Sequence, residues 1–144
     1  KQTELGKIIY DVHAMGNPIL WWLATSSVFS ILCLIVLGFF KEINYQHLPL
    51  FLFILANYFA NLLPWIFVTR CTFLYHYMAS YVFSWLGISW IIEQYLSSQI
   101  IVNRRLGIMM LLLISIAFVY WLPIYLGMPL SSQGFKIRMF GSWI

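Results

Sequence analysis

Four long apolar runs, joined by short polar loops, constrain this chain more than any other feature in it. They extend roughly from Pro18 to Phe40, Leu48 to Val68, Phe73 to Leu96 and Leu106 to Leu126. About 20 apolar residues in a helix cross the hydrocarbon core of a bilayer, so each run has the length of one span. With 62% hydrophobic and only 8% charged residues, too little polar surface remains to enclose these runs in a soluble domain. The expected fold class is all-α, a polytopic membrane bundle of four transmembrane helices that takes up residues 1–144 as one domain. Short loops make sequential helices antiparallel and bring both ends to one face.

The chain starts on Lys1 rather than Met, and the segment KQTELGKIIYDVHAM is too polar for a signal peptide. It is expected to be a piece of a longer chain. Cys33 lies deep in the first span and Cys71 at the mouth of the third, so both read as packing residues. The net charge of +4 comes from basic residues scattered over loops and ends. That pattern suits a membrane surface with anionic head groups and no nucleic acid.

Each span has its own signals. Asn17 is placed to cap the first helix through its side-chain oxygen, Pro18 suits the first helical position, and Trp21 with Trp22 reads as an interfacial belt. In the second span Asn57 and Asn61, four apart beside Ala56 and Ala60, form a polar, small-residue face for packing on another helix, a ligand role being the alternative. Pro64 kinks or ends this helix. Ser80, Ser84 and Gly87 in the third span have the spacing of a close helix contact. Glu93 is expected to pair with Arg104 or Arg105 across a short loop. The fourth span ends at Pro123, and the tail over 127–144, with Lys136, Arg138, Phe140 and Trp143, is amphipathic and interfacial.

Chemistry-bearing residues are sparse. Glu4, Asp11, Glu42 and Glu93 offer no pair spaced as general acid and base, and His13, His47 and His76 fall in three segments. No metal site is expected, and no nucleotide-binding or nucleophile motif occurs. What stands out is TRCTFLYHYMAS, which sets Arg70, His76 and three aromatics, Phe73, Tyr75 and Tyr77, at a membrane edge. Helical spacing would put Arg70, Phe73, Leu74 and Tyr77 on one side and His76 elsewhere. A guanidinium matches phosphate geometry, and a neighbouring His or Tyr can add hydrogen bonds to the same anion. Snorkelling of Arg70 to a head group inside an aromatic belt is the other reading.

The strings IYDVHAMGNPILWW, RCTFLYHYM, WLPIYLGMPLS and RMFGSWI occur in this order over nearly the whole chain. Together they resemble the C-terminal four-span region of the protein O-mannosyltransferases, particularly bacterial, cyanobacterial-type members. The resemblance implies a GT-C type membrane glycosyltransferase that moves mannose from a polyprenyl-phosphate carrier to Ser or Thr of acceptor proteins. It matches at Gly16, Asn17, Pro18, Trp21, Trp22 and Phe73, and it implies a donor lipid-phosphate contact by Arg70 assisted by Tyr75, His76 and Tyr77. The family's catalytic base, an acidic residue, belongs to an N-terminal module with no counterpart among the four acids here, so no catalytic residue is assigned and this piece alone is expected to be inactive.

The implied partners are membrane lipids, the lipid-linked mannose donor, the N-terminal catalytic module and acceptor proteins, with no bound cofactor. The membrane would be a bacterial plasma membrane, or that of the endoplasmic reticulum in a eukaryote. A count of Lys and Arg puts the termini in the cytoplasm, whereas the resemblance puts the termini and the Arg70 loop outside it, and the resemblance is preferred. A non-catalytic scaffold subunit and a lipid-phosphate-binding or transport module are the alternatives.

Overall fold

In the computed structural model the described residues are 8–9, 16–41, 45–69 and 74–139. Helix α1 (Pro18–Lys41) begins at a proline that needs no amide donor in the first turn. Asn17 caps it, its Oδ1 accepting from the amides of Ile19 at 3.1 Å and Leu20 at 3.3 Å. A 3-10 turn (Tyr45–His47) leads into α2 (Leu48–Ile66), which has Pro49 in its first turn and carries Pro64 inside its last. Helix α3 (Leu74–Leu96) and helix α4 (Ile101–Tyr125) follow. A short strand β1 (Ile8–Ile9) pairs antiparallel with β2 (Leu130–Ser131), in the register Ile8 with Ser131 and Ile9 with Leu130. Helix α5 (Ser132–Arg138) closes the described chain.

Among the described residues three helices are long and apolar enough to cross a membrane, over Pro18–Gly38, Leu48–Ile66 and Ile101–Tyr125. Helix α3 has 23 residues, which at ~1.5 Å per residue is length enough to span, but its Ser, Tyr, His and Glu residues dilute its hydropathy. Two of those polar side chains, Ser80 and Ser84, are fully buried. A span that turns hydroxyls toward its neighbours can carry them without exposing them to lipid.

The chain divides into two compact units, residues 21–110 and residues 1–20 with 111–144. In the first, α2 and α3 run antiparallel through ring contacts from Phe51 and Trp90 to Phe53 and Phe83 and on to Tyr58 and Tyr77. Val28 and Ile31 from α1 join Phe51, Ile54, Leu55 and Tyr58 in one buried cluster. The Ser80–Ser84–Gly87 stripe is a close contact, as its spacing predicts: Ser27 Oγ donates to the Ser84 carbonyl at 3.1 Å, and a Cβ on Gly87 would meet that hydroxyl at 2.7 Å.

Several expectations are corrected. The Asn57 and Asn61 amides do not bridge helices; each donates at 2.8 Å to a carbonyl one turn back, of Phe53 and of Asn57. An amide at membrane depth needs an acceptor, and its own helix supplies the nearest one. Glu93 accepts from Gln94 Nε2 at 2.8 Å and from Ser97 Oγ at 3.3 Å in place of the expected arginine. Trp21 and Trp22 do not act as one belt: Trp22 is exposed, while Trp21 packs between Tyr77 and Tyr81. Successive helical residues are turned ~100° apart, so adjacent tryptophans rarely share an environment. Helix α4 runs through Pro123 to Tyr125 rather than stopping there.

In the second unit the tail folds back on the end of α4. Phe135 and Met139 are buried against Ile124, with Trp121 and Leu130 alongside. Gly127, at φ 61°, makes the left-handed turn that reverses the chain after α4.

Candidate functional site

Helix α2 ends in Pro64, Trp65 and Ile66, and α3 opens with Leu74, Tyr75, His76 and Tyr77, so the two helix ends bring a set of rings together. His76 is 8% exposed. Its imidazole lies edge-on to Trp65, centroids 4.1 Å apart, and 4.0 Å from the ring of Tyr75. Tyr75 itself is 63% exposed, so this wall of the site is open.

Tyr77 takes a different direction. Its hydroxyl lies 3.2 Å from that of Tyr58, and its ring is 5.8 Å from Trp21 and 5.7 Å from Tyr81. The successive residues Tyr75, His76 and Tyr77 therefore divide by the helical turn: Tyr75 outward, His76 between the rings of Trp65 and Tyr75, Tyr77 into the bundle. Arg70 and Phe73 lie outside the described residues. Trp65, Tyr58 and Tyr81 belong to the constellation and were not singled out from the sequence; Trp65, directly after Pro64 at the end of a span, was the available signal.

The geometry limits the chemistry. Among the described residues Glu93 is the one acid, 17 residues beyond His76 on the same helix, which is about 25 Å at the helical rise. No carboxylate on α3 can thus share a proton with the His76 imidazole. Among the described residues no three His, Cys, Asp or Glu side chains gather to hold a metal ion. An imidazole and an exposed phenol have the donors to hold an anion, and lack a general acid and base couple.

The remaining motif residues converge in the other unit. Asn17 Nδ2 donates to the Ile114 carbonyl at 2.9 Å, and Tyr125 hydroxyl donates to the Gly16 carbonyl at 3.5 Å. Trp121 Nε1 donates to the Arg138 carbonyl at 2.8 Å. Arg138 in turn donates through Nε to the Tyr120 carbonyl and through Nη1 to that of Gly134, both at 3.0 Å, with its guanidinium 4.9 Å from the Tyr120 ring centre. The strings GNP, WLPIYLGMPLS and the start of RMFGSWI are thus parts of one packed structure. Arg138 is part of that structure.

A helical membrane region, with rings gathered at one interhelical turn and a tail locked onto its last helix, is the class these features define. Residues 6–143 match the C-terminal four TMM region of protein-O-mannosyltransferase, and the chain belongs to that family. It is therefore a membrane region of a glycosyltransferase. No curated protein and no solved structure matches it.

Proposed function

We propose that this region holds the phosphate of a polyprenyl-phosphate mannose donor while an N-terminal module of the same enzyme supplies an acidic residue as catalytic base for transfer of mannose to Ser or Thr. The observation that carries the proposal is the placement of His76. It is a buried imidazole held between Trp65 and Tyr75, six residues after Arg70, in a chain of the mannosyltransferase family. As the acceptor hydroxyl gives its proton to that carboxylate and attacks the anomeric carbon, the bond to the carrier phosphate breaks and the departing phosphate gains charge. Fixed donors aimed at it favour the transition state.

In this proposal Arg70 contacts the phosphate, His76 and Tyr75 add hydrogen bonds, and Tyr77 holds the start of α3 through Tyr58. The Arg70 loop and both ends of the region then face the extracytoplasmic side, where such a donor is used. The region alone transfers no sugar. Arg70→Ala in the complete enzyme tests the proposal: donor use drops, and unchanged donor affinity and turnover would sink it.

A further inference from the structure

The geometry points to a second lipid contact, at the turn between α3 and α4: a docking surface for the head group of an anionic phospholipid in the leaflet that this turn meets. The turn is built rather than loose. Ser98 Oγ accepts from the Ile100 amide and from Asn103 Nδ2, both at 3.2 Å, and the Arg104 amide donates to the Ile100 carbonyl at 3.2 Å. Gly107 lets α4 lie close on α3, since a Cβ there would come within 3.0 Å of Leu96.

This fixed turn presents Ile100, Ile101 and Val102 at 60%, 65% and 62% exposure and, past Asn103, the exposed Arg104 and Arg105. Three aliphatic side chains offered outward on a tight turn match the acyl chains of a lipid. Among the described residues the two arginines have no carboxylate partner: Glu93, the one acid there, accepts from Gln94 and Ser97. The first turn of α4 carries no acidic residue either, so two cations and the positive end of the helix dipole share one place. Such a field is relieved by an external anion, and the aliphatics beside it select one that carries a hydrocarbon tail. A head-group phosphate matches the planar donor fork of arginine.

The site is independent of the donor contact proposed at the other end of α3. Its test is retention of lipid by the purified full chain, delipidated in detergent and read by native mass spectrometry after adding phosphatidylglycerol or phosphatidylcholine with the same acyl chains. Phosphatidylglycerol is retained with a preference on the order of tenfold, and raised salt erases that preference. R104Q/R105Q loses it, R104K/R105K keeps part of it, and inorganic phosphate fails to displace the lipid. Equal retention of the two lipids by the unaltered chain, a preference indifferent to salt, or displacement by inorganic phosphate would overturn the inference, and so would full preference in a folded R104Q/R105Q chain.

Discussion

Asn17 and Ile114, 97 residues apart, are joined by a 2.9 Å hydrogen bond from the Asn17 amide nitrogen to a backbone carbonyl in the middle of α4. The other end of the same side chain caps α1 through the amides of Ile19 and Leu20. One residue thus starts a helix and ties that start to a distant part of the chain. The two tasks separate on substitution, because the oxygen caps and the nitrogen ties. Asn17→Asp keeps the acceptor and loses the donor, whereas Asn17→Ala loses both. Asn17→Ala is expected to destabilise the chain by about 1–2 kcal/mol, the usual worth of a cap plus a hydrogen bond. Asn17→Asp should fall between it and the parent in thermal unfolding in detergent; equal midpoints for all three chains would refute the double role.

Gly87 offers a sharper packing test. A Cβ there would lie 2.7 Å from Ser27 Oγ and 3.1 Å from Ile31 Cδ1. Gly87→Ala should therefore destabilise by about 1–3 kcal/mol through overpacking. Ser27→Ala removes the nearest atom along with its bond to the Ser84 carbonyl. In a double-mutant cycle the combined variant should lose less than the sum of the two, a coupling expected of side chains in contact. Strict additivity would show that the helices separate rather than press on the new methyl group.

Arg138 locks the tail through three contacts: the carbonyls of Tyr120 and Gly134 and the face of the Tyr120 ring. Lysine keeps the charge but cannot hold two carbonyls and a ring at once. Arg138→Lys should therefore loosen α5, and trypsin should cut at the exposed Lys136 several-fold faster than in the parent. An unchanged cutting rate would mean that Phe135 and Met139 packed on Ile124 suffice to hold the tail.

Much of this was legible because apolar run length, capping residues and small-residue spacing are local signals. Asn17 before Pro18 announces the start of α1, and Ser80, Ser84 and Gly87 announce a helix contact that the structure contains. What was not legible depends on direction and partner choice. Asn57 and Asn61 carry the pattern of an interhelical face, but an amide in a helix finds the carbonyl one turn back first. Glu93 stands opposite two arginines in sequence, yet Ser97 sits one turn on and Gln94 directly beside it. Helical spacing sets Tyr77 apart from His76, but it does not name the partners, Trp65 for His76 and Tyr58 for Tyr77. The union of GNP with WLPIYLGMPLS and Arg138 required a fold-back of some hundred residues, which no periodicity reveals.

The division among Tyr75, His76 and Tyr77 yields the prediction closest to function. Tyr77→Phe deletes a hydroxyl whose partner, at 3.2 Å, is the Tyr58 hydroxyl inside the bundle. Its effect should fall on stability, by about 1 kcal/mol, the typical net worth of such a bond. His76→Phe preserves a flat ring for packing on Trp65 and Tyr75 but removes both ring nitrogens. In the complete enzyme the two variants should therefore part ways: Tyr77→Phe lowers the unfolding midpoint and leaves donor KM unchanged, while His76→Phe raises donor KM. If His76→Phe instead leaves donor KM and turnover as in the parent, the imidazole serves only the aromatic packing, and the donor contact would fall to Arg70 and Tyr75 alone.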